Sequence, residues 1–311
     1  MANAKAADSG KLPFVSLIVP VYNDAAGLSE TLAALARQDY PVSRWEVIVV
    51  DNDSTDNTLD VAKSLRARIP KLKILVERSR QSSYAARNRG VEEAAGEILA
   101  FIDADMTVGR DWISRGVRDI ESGRGDYVGC RVHIYARSDP PTMWEIYSQR
   151  TGFRIRDYIE KEDYTIAGSL FVRREVVEIA GMFDERLISA GDREFGNRVK
   201  ASGFRLYYDH DNVMRHPARS SLRSTWSKHF RIGKGMVDLR LYYPHRYGAL
   251  KPWSIIPVFP PAVSVGHVLD TSDLGPGWKC RMLFVANVVR LARACGRMVR
   301  FATIGRGVGV R

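Results

Sequence analysis

The stretch Ile98-Leu99-Ala100-Phe101-Ile102-Asp103-Ala104-Asp105 is an apolar run that ends on two carboxylates. A short uninterrupted apolar run reads as a strand buried on both faces, here over 97–102. Its carboxyl end delivers Asp103 and Asp105 together. Two acids one residue apart repel each other, so placing both there needs a compensating cation or donor. A Mg²⁺ or Mn²⁺ ion held by carboxylate and by substrate phosphates would supply it. Taken alone, the triplet also reads as a solvated turn or as a helix N-cap ahead of Trp112.

Outward from this strand, the first half of the chain alternates two patterns. Strands are expected over 14–21, 46–50 and 73–77, and helices over 28–37, 58–68 and 84–95. Such alternation implies an α/β fold with a mainly parallel sheet and helices on both faces. In sheets of this kind ligands bind at the carboxyl ends of the strands. The polar clusters stand at those ends: Tyr22-Asn23-Asp24, then Asp51 to Asp56, then Asp103 to Asp105. Later elements are less regular: a strand over 126–135, one helix over 142–160, a strand over 169–172, helices over 173–179 and 191–201, and a strand over 205–208.

Composition sets the limits. With 311 residues, 45% hydrophobic and 27% charged, the chain suits a folded domain and not a disordered one. Cys130, Cys280 and Cys295 have neither CxxC pairing nor metal-ligand spacing and read as thiols in a reducing compartment. The segment from Met1 to Lys11 lacks the apolar core of a signal peptide, which gives a cytoplasmic expectation. No uninterrupted apolar run reaches the roughly 18–20 residues of a spanning helix, and the nearest, Trp253 to Leu269, is broken by Pro257, Pro260 and Pro261.

The net charge of +11 is unevenly spread. Residues 215–311 hold 17 lysines and arginines against 3 acids, while 1–214 hold 30 against 33. Arg290, Arg293, Arg297 and Arg300 recur at helical spacing, and Phe284, Val288, Leu291, Cys295 and Met298 recur on another face. Leu222, Trp226 and Phe230 sit four apart, interleaved with Lys228, Arg231 and Lys234. Basic amphipathic helices with aromatics suit an anionic membrane surface. The alternative is that the apolar faces pack on the rest of the protein and the charges are solvated. No nucleic-acid motif is present, and no nucleic-acid partner is expected. The Gly305-Arg306-Gly307-Val308-Gly309 run precedes no helix and reads as tail, not as a cofactor loop.

Two more clusters carry polar chemistry. In Asp51-Asn52-Asp53-Ser54-Thr55-Asp56, some residues cap the following helix, while Asp51, first past its strand, is placed to contact a base or ribose. In Ser83-Tyr84-Ala85-Ala86-Arg87-Asn88-Arg89-Gly90, Arg87 is either a surface residue or reaches donor phosphate or base.

In this order and spacing, Val19-Pro20-Val21-Tyr22-Asn23, Val50 to Asp56, Ala86-Arg87-Asn88-Arg89-Gly90 and Asp103-Ala104-Asp105 resemble the family 2 glycosyltransferases of the GT-A fold. The resemblance covers about the first 105 residues and continues more weakly to His216. It implies an inverting transfer from a nucleotide diphosphate sugar, UDP by default, to a hydroxyl of a lipid-linked or polysaccharide acceptor. It implies roles for matching residues. Pro20, Tyr22, Asn23, Asp51, Asp53, Arg87, Asn88, Asp103, Ala104 and Asp105 would bind the nucleotide sugar. Asp105 would be the direct ligand of Mn²⁺ or Mg²⁺, with Asp103 on the ribose or on the metal's water and His216 completing the site. Gly168 and Ser169 would line the acceptor side, and Asp192 would be the general base. Glu194, also on the acceptor side, is the second choice of base. Relatives often carry Glu-Asp where this chain has Gly191-Asp192, a departure that leaves open a catalytically silent binding protein. A nucleotidyltransferase is the other alternative, but the Gly-rich phosphate loop it needs is replaced by Tyr22-Asn23-Asp24. The expected organisation is a flexible 1–12, a catalytic domain over 13–218 divided near 105 into nucleotide-binding and acceptor-binding halves, and a basic helical region over 219–311. The whole would lie at the cytoplasmic face of a membrane.

Overall fold

Ile98–Ile102 is a fully buried strand, β4, in a computed structural model that describes residues 12–69, 71–251 and 275–304. The expected tail over 1–11, the proline-broken run from Trp253 to Leu269 and the Gly305–Gly309 motif lie outside the described residues. On one side of β4 lie β1 (Val15–Val21), β2 (Trp45–Asp51) and β3 (Leu72–Val76), all parallel. On the other side β7 (Ser169–Arg173) runs antiparallel to both β4 and β6 (Tyr127–Tyr135). The eight-stranded sheet is completed by β8 (Leu206–Pro217) and the two-residue β5 (Thr107–Val108), in the order β3-β2-β1-β4-β7-β6-β8-β5.

Period-two alternation sends side chains to both faces. Leu17, Val19, Ala100 and Ile102 pack on one side with α1 (Ala25–Leu35), α4 (Trp112–Glu121) and α6 (Ile155–Glu162). Ile18, Leu99 and Phe101 pack on the other with α3 (Ser83–Glu92), α7 (Arg174–Ala180) and α8 (Gly191–Ala201). A shorter helix, α2 (Thr58–Ser64), follows β2. The α/β class with helices on both faces is as expected.

Two local expectations are corrected, and one short strand is added. The single helix over 142–160 is two, α5 (Met143–Thr151) and α6, because Gly152 leaves the helical region at ψ −160°. A side chain there would collide with Ile134. The strand over 205–208 continues to Pro217. Cys130 pairs with Asp209 and Arg131 with Val213, so 210–212 bulge out of register and interrupt the pattern that marks a strand. β5 is too short to carry a periodicity.

Beyond the sheet, α9 (Leu222–Tyr242) packs along the long helix Pro276–Ala302. Their backbones meet at Gly233 and Gly296, where a Cβ would lie 2.2 Å from Arg293 O and 2.1 Å from Phe230 O. Helical spacing groups Phe284, Val288, Leu291, Cys295 and Met298 on one face; Phe284, Leu291 and Met298 are exposed at 53%, 52% and 43%, while Val288 and Cys295 are half-buried. The packed face carries Met282, Val285, Val289 and Ala292. The arginines are not a uniformly solvated row, since Arg300 pairs with the buried Asp238 of α9 and Arg293 Nε donates to His229 Nδ1 at 3.1 Å. None of the described helices is long and apolar enough to cross a membrane.

Candidate active site

The carboxyl ends of β1, β2 and β4 point the same way because the three strands are parallel. Asp51 ends β2 and is buried; its Oδ2 accepts from Ser54 N at 3.0 Å. Its Oδ1 is buried without a hydrogen-bond partner. An orphaned carboxylate oxygen is costly unless a ligand donor reaches it, which suits the contact to base or ribose read from the sequence. Tyr22 is 48% exposed past the end of β1, and Pro20 is buried within that strand, opposite Val50. Asn23, at φ 49°, braces the site: its Oδ1 accepts from Thr55 N at 2.7 Å and its N–H donates to Ser54 Oγ. Asp53 is exposed and pairs with Arg78 at 3.5 Å.

Asp103 and Asp105 follow β4, with the buried Ala104 between them. They have different partners. Arg87, buried on α3, donates to Asp103 Oδ1 at 2.5 Å. The guanidinium is therefore engaged with a carboxylate, not free on a surface. Asn88, next to it, is committed to the fold: Nδ2 donates to Phe183 O and Glu185 Oε1, and Oδ1 accepts from Phe183 N. That amends the expectation of a ligand contact from Asn88. The Ile102–Ser169 register puts Gly168 opposite Asp103. A Cβ on Gly168 would lie 2.5 Å from Asp103 Oδ2, so only glycine leaves that carboxylate its place. Ser169 is buried against Thr165 and Ile166.

Asp105 faces His216, which β8 delivers to the same edge, with Nε2 at 3.4 Å from Oδ2. His216 Nδ1 lies 2.6 Å from Pro217 O. A carbonyl oxygen only accepts, so Nδ1 carries a hydrogen and Nε2 is the nitrogen turned on the carboxylate. A carboxylate oxygen and an imidazole nitrogen at this distance are joined by a proton or by a cation that both can bind. The carboxyl of Asp105 is held above its ordinary range, first by burial and then by the charges of Asp103 and Asp24, against the pull of His216 and Arg219. One imidazole nitrogen and one carboxylate with a fixed outer partner are a fitting half-shell for Mn²⁺ or Mg²⁺, to be completed by oxygen ligands. Among the described residues, no group of three or more His, Cys, Asp or Glu forms a metal cage.

Asp192 lies in the first turn of α8. Burial raises its pKa, with the negative charge of Asp103 adding and the Arg193 N–H and Arg87 opposing. The residue that seats it is Tyr84, one helical turn before Arg87 on α3. Its hydroxyl accepts from Gly191 N at 2.9 Å and from Asp192 N at 3.4 Å. A Cβ on Gly191 would lie 2.7 Å from the Tyr84 ring. The departure at Gly191 is thus the space taken by Tyr84, and it leaves Asp192 in place. The sequence held a signal for this only in the Tyr84–Arg87 spacing, which puts both on one helix face. Glu194 is not available to an acceptor, because both of its oxygens accept from Arg198 at 2.9 Å and it is buried.

The comparisons with known proteins agree with this arrangement. Residues 16–179 match the family model described as glycosyl transferase family 2. The glycosyltransferase AglE of Haloferax volcanii is 36% identical over 92% of this chain and 96% of its own. A Methanococcus voltae enzyme, named as a dolichyl N-acetyl-alpha-D-glucosaminyl phosphate glucuronosyltransferase of the diacetamido-dideoxy type, is 24% identical over 74% of this chain and 75% of its own. Among solved structures, the mannosyltransferase PcManGT of Pyrobaculum calidifontis, in complex with GDP-Man and Mn²⁺, superposes with a TM-score of 0.60 at 21% identity. It covers 98% of this chain and 84% of that one, and shows the shared fold. The strand order, the paired acids at the sheet edge and the family match agree: the chain belongs to glycosyl transferase family 2 and is a glycosyltransferase.

Proposed function

We propose that this glycosyltransferase moves a sugar from a nucleotide diphosphate donor, UDP-linked in the first instance, to a hydroxyl of a lipid-linked or polysaccharide acceptor, with inversion. The observation that carries the reading is the meeting of Asp105 and His216, together with an acid, Asp192, that burial has made more basic than usual and that feels the charge of Asp103. Asp51 would hold the nucleoside with its unpartnered oxygen. Arg87 fixes Asp103 so that its second oxygen remains for the donor. A divalent ion on Asp105 and His216 would neutralise the charge of the departing diphosphate. Asp192 accepts the proton of the acceptor hydroxyl as it attacks the anomeric carbon. An aspartate remains far less basic than an alkoxide, so proton transfer is late and concerted with attack. The product of a single displacement has the opposite anomeric configuration to the donor. NMR of the newly formed linkage reads this directly, and retention of configuration would contradict the reading.

The lipid-linked class is supported by the Methanococcus voltae relative, whose name specifies a dolichyl phosphate-linked sugar. It is also supported by the exposed Phe284, Leu291 and Met298, which lie on a helix within the basic region 215–311. That combination suits the cytoplasmic, anionic face of a membrane. In liposome flotation the protein is expected to rise with anionic vesicles and remain behind with neutral ones. Equal recovery with both, or with neither, would remove the membrane from the account.

A further inference from the structure

A group of cations lies next to the acids with no carboxylate among the described residues in direct contact, Asp105 acting on Arg219 and Lys228 only from beyond ion-pair distance. Arg219 follows β8, and Lys228 and Arg231 lie three residues apart on one face of α9. With Ser227 they line a recess of roughly 220 Å³. Among the described residues, no carboxylate lies within ion-pair distance of any of the three. Arg219 Nε is buried without a hydrogen-bond partner. The Lys228 ammonium is pressed over the Phe153 ring, 4.8 Å from its centroid, and that ring meets His216 edge-on at 5.5 Å. One aromatic side chain thus separates the recess from the Asp105–His216 pair.

Three cations that share a partly dry recess repel one another, an arrangement a fold tolerates where an anion completes it. Burial is the first cause of the shifts in these groups, and the neighbouring cations add to it. Burial, then Arg219, Arg231 and Arg293, depress the Lys228 ammonium to about 8 against the pull of Asp105, and burial followed by Arg293, Lys228 and Arg219 takes His229 down to about 3. Two guanidinium forks and an ammonium match an oxyanion with three outward oxygens better than a planar carboxylate.

We propose that Arg219, Lys228 and Arg231 form a phosphate-binding subsite at the rim of the Asp105–His216 pair, filled by a phosphate of the donor diphosphate or by the phosphate that links an acceptor to its lipid. The anion site stands on its own geometry, and the two named sources rest on the transferase reading above. The test uses the full chain and three probes: UDP with Mn²⁺, farnesyl phosphate and inorganic pyrophosphate. Each is titrated calorimetrically into the parent, Arg231→Ala and Lys228→Gln, with melting curves to verify folding. Arg231 is exposed, so its truncation spares the packing. Loss of a charge-assisted contact is expected to raise Kd about tenfold for at least one probe in each variant. Weakening of UDP alone assigns the subsite to the donor, and weakening of farnesyl phosphate alone assigns it to the acceptor. Binding of all three probes to both variants within about twofold of the parent overturns the subsite, as does a parent that binds none of them. A parent that binds pyrophosphate or farnesyl phosphate but not UDP, with weakening in the variants, keeps the subsite and removes the UDP donor.

Discussion

Asp192→Asn is expected to lower sugar transfer by roughly 100- to 10,000-fold, the range carried by a positioned general base, while nucleotide affinity stays within about twofold of the parent. The amide keeps the size of the side chain and the hydrogen bonds that Gly191 N and Asp192 N give to Tyr84. Only the proton acceptor is lost. The same residue fixes the pH profile. Burial raises its pKa, so the base is silenced by protonation as pH falls, and the acid limb should lie above the ordinary aspartate value of about 3.9. That limb should disappear from the residual activity of the variant. Steady-state rates across pH, set beside nucleotide titrations, separate the two readouts. Turnover close to that of the parent would remove Asp192 from the chemistry.

Asp105→Asn is expected to abolish the metal-dependent part of donor binding without harming the fold. Asp105 sits beside Asp103 and Asp24, with its carboxyl pushed upward chiefly by burial. A carboxylate held in that position costs stability at neutral pH, because its ionised form is the disfavoured one. The neutral amide relieves that cost, so the variant should melt at the parent temperature or above it. The Mn²⁺-dependent gain in nucleotide affinity should meanwhile fall by at least about tenfold, the scale on which changes merely outside a metal's ligands already act. Greater stability with weaker function is the pattern of a site strained for its ligand. Unchanged Mn²⁺ dependence would show that Asp105 does not hold the ion.

Most of the nucleotide half of the fold was legible because each strand there is a short apolar run with polar residues at its carboxyl end. Val15–Val21, Trp45–Asp51 and Ile98–Ile102 needed no more than that. The acceptor side was harder. β8 is interrupted by its own bulge at 210–212, and its last residues deliver His216 to a sheet edge that periodicity alone could not predict. Arg87 could be placed on a helix, but its partner Asp103 depends on how that helix crosses the sheet. Asn88 and Glu194 are polar residues next to functional ones, and only tertiary contacts show that their hydrogen bonds are spent inside the fold. Spacing on the Pro276–Ala302 helix grouped Phe284, Val288, Leu291, Cys295 and Met298, of which Phe284, Leu291 and Met298 are exposed and the other two half-buried. It does not say which stripe turns inward, and that was decided by the close approach at Gly233 and Gly296.

Calorimetric titration of the full chain with UDP, GDP, CDP and dTDP, each with Mn²⁺ and with EDTA, tests the donor site most directly. The account predicts that one nucleotide binds selectively and that its affinity depends on the metal. Binding of none of the four, or binding of all four indifferent to EDTA, would contradict the assignment of Asp51, Asp103 and Asp105 to a metal-assisted nucleotide sugar site.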